Sequence, residues 1–236
     1  MATHTKRFIL LFVVTELILI SFIDRPLAKY MHQLDTTQHG LIDFFRAITD
    51  LGLSKWYLWP AVIGVIFCAI GLRIFSLSPQ RRVHIINIGE FLFYLFANVA
   101  ASGLVTNILK RIIGRARPVE LIQHQFYGFD PINFEARFNS FPSGHATTAC
   151  VLFFLVASRF PKLRIAALTF TVAVSVSRVM VNAHFVSDIL AGACVAFITH
   201  YVLQNLWLSV RMSRVNHSFF PIDKPANPKV ENHHDC

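Results

Sequence analysis

A chain of 236 residues with 54% apolar and only 15% charged side chains, and a mean hydropathy of +0.52, departs from the balance of a soluble globular domain. Its formal net charge of +9 does not indicate nucleic-acid binding, because the basic residues are split between loop ends and a C-terminal tail and form no continuous stripe. Cys68, Cys150 and Cys194 lie inside apolar runs and Cys236 lies in the tail, which fits neither a disulfide framework nor a zinc site.

Apolar stretches cover residues 8–23, 56–72, 85–109, 146–157, 163–176 and 189–210. Several reach or approach the roughly 20 residues that cross a hydrocarbon core, so the expected fold is an all-α membrane protein with about six transmembrane helices in a bundle. Lys6 and Arg7 ahead of the first run resemble the start of a signal peptide, but Glu16 interrupts the run and no small-residue cleavage site precedes Arg25. An uncleaved first span is therefore expected. Between the first two spans, Arg25, Lys29, Arg46 and Lys55 are balanced by Asp24, Asp35, Asp43 and Asp50. Leu41, Phe44, Phe45 and Ile48 recur there at helical spacing, as in a short interfacial helix or one packed on the bundle.

The links at residues 73–84 and 159–164 carry Arg73, Arg81 and Arg82, and Arg159, Lys162 and Arg164, with no acid in either. By the positive-inside rule these links are cytoplasmic, and the balanced segment faces outward. The charges flanking Pro161 favour a tight turn there over a kink in one long helix. Both termini then fall on the cytoplasmic side. The chain divides into a transmembrane domain at 1–215 and a cytoplasmic tail at 216–236, expected to be flexible. Ala97, Ala100, Ala101 and Gly103 in the third span suit close helix packing. Glu16, Glu90, Asn98 and His200 within spans suit hydrogen bonds to neighbouring helices, with a proton relay as the other reading of the two acids.

Three polar clusters border these spans, all on the outer side. The first is Lys110-Arg111-Ile112-Ile113-Gly114-Arg115-Ala116-Arg117-Pro118. Lys110 and Arg117 are seven residues apart, two helical turns, so both face one side if the third helix continues until Pro118 ends it. Arg117 offers a planar fork for two phosphate oxygens and Lys110 a movable point charge. Arg111 and Arg115 fall on other faces, as solvated groups or lipid-headgroup contacts. A loop with Phe126, Tyr127, Phe129, Phe134, Phe138 and Phe141 follows, which either lines a lipid's path to the site or caps the bundle.

The second cluster, Pro142-Ser143-Gly144-His145, reads as a helix start with free backbone N–H groups, a natural anion site. Gly144 permits close backbone approach, and His145 can donate a proton near neutral pH. The third runs from Ser177 and Arg178 to His184 and Asp188. One helical turn separates the last two, which lets the carboxylate hold one ring nitrogen and leave the other as a nucleophile.

Residues 110–118, 142–145 and 177–188 resemble the three signature motifs of the type 2 phosphatidic acid phosphatase (PAP2) superfamily, with every signature position present. The resemblance implies a phosphatase that needs no metal or other cofactor. In it His184 attacks phosphorus to give a phosphohistidine, Asp188 orients His184 and His145 protonates the leaving oxygen. Lys110, Arg117, Arg178, Ser143 and the Gly144 amide hold the phosphoryl oxygens. Three cationic side chains can supply the charge that magnesium supplies elsewhere, and no carboxylate cluster is available to hold an ion. The continuous apolar spans exclude the family's soluble haloperoxidase branch. The expected substrate is a phosphorylated membrane lipid at the periplasmic face of a bacterial inner membrane: undecaprenyl diphosphate, phosphatidylglycerol phosphate or lipid A phosphate. A second reading is a non-catalytic lipid-phosphate-binding membrane protein or a transporter.

Overall fold

The apolar runs fold into helices whose ends are set by local signals. The computed structural model describes the backbone of residues 2–219 and the side chains of residues 4–210. Helix α1 (Ala2–Ile18) passes through a π-helical turn at Leu19–Ile23 into α2 (Asp24–Thr37), and α3 (His39–Asp50) follows after one residue. Next come α4 (Lys55–Ile74) and α5 (Pro79–Ile113), which has Pro79 in its first turn where the missing N–H costs no bond. Gly114 ends α5 in the left-handed conformation at φ 60°. A side chain there would also strike the Asp130 carbonyl, since an added Cβ would lie 1.7 Å from that oxygen.

The remaining helices are α6 (Pro118–Gln123), α7 (Gly144–Arg159), α8 (Arg164–Met180) and α9 (Val186–Phe219). A short 3-10 turn at Pro161–Leu163 joins α7 to α8, so Pro161 sits in a tight turn between two helices as its flanking charges predicted. Among the described residues there is no strand, only an isolated bridge between Arg115 and Phe129. The protein is all-α, as expected. Cys236 and the tail from residue 220 onward lie outside the described residues.

Four stretches, His39–Ile74, Pro79–Ile113, Pro161–Met180 and Val186–Val210, are long and apolar enough to cross a membrane. Gly144–Arg159 is also apolar but has 16 residues. Within the bundle, which extends through His200, α4 packs on α5, α5 on α7, α7 on α8 and α8 on α3. The chain from Tyr201 to Phe219 continues α9 as a separate unit.

Val99, Cys150, Val151, Leu155 and Ala196 form the core between α5, α7 and α9. Many other apolar side chains face outward, including Phe67, Leu104 and Ile165. Such a surface would be an aggregation hazard in water and is the expected solvent-facing side of a protein dissolved in lipid. Two polar groups in the core are paired, whereas both carboxylate oxygens of Glu16, buried in α1, have no hydrogen-bond partner, contrary to the hydrogen-bonding reading of that residue. Asn98 donates to the Tyr94 carbonyl at 2.8 Å and its Oδ1 meets His200 Nδ1 at 3.0 Å, while His200 stacks on Phe154. This matches the hydrogen-bonding reading of Asn98 and His200.

Because α7 and α8 form an antiparallel hairpin, the C-terminal ends of α5 and α8 meet the N-terminal ends of α7 and α9 at one end of the bundle. All three polar clusters lie there.

Candidate active site

Lys110 lies in the last turn of α5, and its Nζ donates to the Asn139 carbonyl at 2.8 Å. Arg117 is not on that helix. The left-handed Gly114 turns the chain away, so Arg117 instead becomes the N-cap of α6, with Pro118 starting that helix, not terminating α5. The two-turn spacing thus brings Lys110 and Arg117 together by a different route from the continuous helix predicted. The Arg117 backbone N–H donates to the Arg137 carbonyl at 2.9 Å, and burial draws its guanidinium below the ordinary arginine range.

Ser143 is the N-cap of α7, as the sequence predicted, and its hydroxyl makes no hydrogen bond to that helix. Gly144 and half-buried His145 begin the helix. The Ser143 N–H donates to the backbone carbonyl of Asp188 at 2.8 Å, tying the second cluster to the third. Gly192, one turn further along α9, makes room for this contact: an added Cβ would lie 2.7 Å from the Ser143 carbonyl.

Arg178 closes α8. Its carbonyl accepts the N–H groups of Ala183 and His184 at 3.0 and 3.2 Å, which folds the connecting turn back and sets His184 beside it. Arg178 Nη1 donates to Thr49 Oγ1 at 2.8 Å, and Ser177 reaches the same hydroxyl at 3.0 Å. Gly52, just after α3, lies against His145, whose ring carbon would be 3.0 Å from an added Cβ. Helix α3 therefore supports the site as well as packing on the bundle, which none of its residues signalled in sequence.

His184 is buried in the turn before α9. Burial drives its pKa down to about 3, with the Lys110 and Arg178 charges acting in the same direction and Asp188 opposing them. The ring is neutral at physiological pH. Its Nδ1 lies 3.4 Å from Asp188 Oδ2, in ion-pair range but not aligned as a hydrogen bond. Asp188 is held more tightly elsewhere: Arg115 Nη1 donates to it at 2.6 Å, Ser140 Oγ at 2.6 Å and the Phe185 N–H at 2.8 Å.

The structure brings all eight predicted site residues to one place. Lys110, Arg117 and Arg178 lie close enough to act on His145 through their charges, and Lys110 and Arg178 act likewise on His184. Several buried polar atoms there have no protein partner, among them Arg117 Nε, Arg178 Nε and the Ser143 hydroxyl. Buried donors are rarely left unpaired, and guanidinium and hydroxyl donors of this kind suit the oxygens of an anion.

A family model for the PAP2 superfamily matches residues 91–211, just over half of the chain. This protein belongs to the PAP2 superfamily. Its relatives include the lipid A 1-phosphatases of Rhizobium etli, 36% identical over 147 residues, and Rhizobium johnstonii, 35% identical over the same length. Each match takes in 61% of this chain and respectively 62% and 59% of the relative, so the chain spans about three fifths of the length of these curated relatives. Two solved structures, the first described as a transmembrane PAP2-type enzyme, share the fold. The phosphatidylglycerolphosphate phosphatase of Bacillus subtilis has a TM-score of 0.55 and 24% identity, covering 85% of this chain and 96% of its own. Aquifex aeolicus LpxE has a TM-score of 0.52 and 19% identity, covering 75% and 93%. With four stretches long and apolar enough to cross a membrane, this PAP2 chain is an integral membrane protein, and its matched relatives are bacterial.

One assignment within the first PAP2 cluster is overturned. Arg115, expected as a solvated or headgroup-facing residue, is 1% exposed and bridges Asp188 to Asp24. Asp24, one of the acids balancing the outward segment, is equally buried. Burial alone would lower the Arg115 pKa, but Asp188 and Asp24 reverse that and hold the guanidinium firmly charged. Arg111 is exposed as predicted and lies over Phe134 at 5.2 Å. In the aromatic loop, Tyr127, Phe129 and Phe141, together with Phe185 from the turn before α9, surround the Arg115 guanidinium at 4.5 to 5.9 Å. No local signal in the sequence marks either Arg115 or Asp24 for this role.

Proposed function

We propose that this protein is a metal-independent membrane lipid phosphatase. His184 Nε2, left free by the Nδ1 edge that faces Asp188, attacks phosphorus. The bond from phosphorus to the lipid oxygen breaks, and His145 gives that oxygen its proton. Water then attacks the phosphohistidine, His145 takes the proton back, and inorganic phosphate and neutral His184 are restored. Lys110, Arg117, Arg178, the Ser143 hydroxyl and the Gly144 amide hold the phosphoryl oxygens throughout, which is where phosphoryl transfer needs most help.

The observation that carries this reading is the convergence of three cations and two imidazoles on one end of the bundle, with buried donors unpaired among them. Of the three lipid classes, the relatives' names favour a glucosamine disaccharide phosphate of lipid A, whose anomeric hydroxyl would be the leaving group. The site faces the periplasm from a bacterial inner membrane, with both termini cytoplasmic.

Purified protein in detergent, given lipid A 1-phosphate, undecaprenyl diphosphate and phosphatidylglycerol phosphate, tests this. We expect phosphate release with EDTA present, fastest from lipid A, and loss of about a thousandfold or more in His184→Ala. Binding of these lipids without release by the wild type would establish the non-catalytic reading instead, and inactivation by EDTA would remove the metal-free mechanism.

A further inference from the structure

The Asp24 side chain belongs to none of the three signature clusters, yet it is built into the site's foundation. Its Oδ2 accepts Arg115 Nη2 at 2.8 Å and the Ser187 hydroxyl, and its Oδ1 faces the Ser187 N–H at 3.3 Å. The other arm of the same guanidinium, Nη1, reaches Asp188 Oδ1 at 2.6 Å and also the Ser187 hydroxyl. Asp24 thus holds the start of α9 in two ways, directly at Ser187 and through Arg115 at the adjacent Asp188. Its own place is fixed as the first residue of α2, immediately after the π-helical turn. That turn is anchored too, because Tyr127 donates its hydroxyl proton to the Ile20 carbonyl at 2.7 Å while accepting from Arg115 Nη2 at 3.0 Å. Single π-helical turns inside otherwise regular helices recur at functional sites.

Every member of this chain of contacts is buried or half-buried, and the aromatic rings around Arg115 keep water from it. Two carboxylates from helices far apart in sequence therefore share one guanidinium in a low-dielectric setting. There, loss of either charge would leave the remaining groups mismatched. Asp188 carries the consequence, since its second oxygen faces His184.

We infer that Asp24 is a positioning residue for the hydrolytic reaction: through Arg115 and Ser187 it holds the Asp188 carboxylate, and through Asp188 the ring of His184. This rests on His184 being the nucleophile, as proposed above. The phosphate-holding groups Lys110, Arg117 and Arg178 make no contact with Asp24, so its loss should slow the chemical step without weakening phosphate capture.

The test compares Asp24→Asn, Ser187→Ala and His184→Ala with the wild type, on whichever panel lipid the wild type hydrolyses fastest. Product inhibition by inorganic phosphate, which needs no bond to His184, provides a separate measure of anion binding. We expect Asp24→Asn to lower kcat about ten- to hundredfold, the scale of a small misplacement of reacting groups. KM and the phosphate inhibition constant should stay within about threefold. Ser187→Ala, which removes the donor to Asp24 and the acceptor for Arg115 but leaves both carboxylates and the guanidinium in place, should show a smaller loss of the same kind. It serves as the deciding variant if Asp24→Asn does not fold. Wild-type kcat in Asp24→Asn, or in Ser187→Ala where that variant decides, would overturn the inference. So would a fall in kcat matched by an equal loss of phosphate affinity. Activity surviving in His184→Ala would instead bring down the nucleophile assignment and this inference with it.

Discussion

At the residue scale, the state of His184 depends on where it is buried. Its ring is neutral in the folded protein because its pKa is held near 3, whereas in the unfolded chain it takes a proton below its ordinary value near 6.5. Between those values the unfolded state binds more protons, so stability must fall as pH falls. Melting in detergent at about pH 7 and about pH 5 should show a larger drop in midpoint for the wild type than for His184→Gln. Equal drops would mean that the ring is solvated. The same scale shows what sequence could carry. Lys110, Ser143, His145, Arg178, His184 and Asp188 were legible because each stands in a short pattern whose spacing has a local chemical meaning. Asp24, Thr49, Ser140 and the true place of Arg115 were not, because their roles come from contacts across 48 or more positions that no local spacing encodes.

Elements bring those residues together by where they stop. Extrapolating α5 as a straight rod to Pro118 put Arg115 on the wrong face, since a single left-handed glycine ends the helix at residue 114. Once the chain turns there, Arg115 points inward and Arg117 re-enters the site from the start of α6. The start of α7 was read correctly because Ser143-Gly144 before an apolar run is a strong capping signal. Gly192 is a signal of another kind, visible only when α9 and α7 are seen packed together. Gly192→Ala would put a methyl 2.7 Å from the Ser143 carbonyl, so the cap of α7 or the axis of α9 must shift. Phosphate release by this variant should fall about tenfold or more, with the protein still folded in detergent. Unchanged turnover would show that the junction between these helices has slack.

For the molecule as a whole, the loop charges predict one orientation, with the site on the outer side. The site, the balanced segment with α2 and α3, and the aromatic loop share one end, while the arginine-rich turns at residues 73–84 and 159–164 lie at the other. A cysteine-free variant carrying Asp130→Cys should react with a membrane-impermeant maleimide in intact spheroplasts, and one carrying Lys162→Cys only after lysis. The reverse pattern would put the site on the cytoplasmic face. The all-α architecture was plain in sequence because long apolar runs leave the backbone no other way to satisfy its hydrogen bonds in lipid.

The length of α7 has a further consequence for the surrounding bilayer. Its 16 residues rise only about 24 Å, against a hydrocarbon thickness of about 30 Å. With Arg159 at one interface, Ser143 and His145 would stop several ångströms short of the opposite one. Where lipid meets α7 it would have to thin, or a lipid phosphate to sink below its neighbours, at the end that holds the three polar clusters.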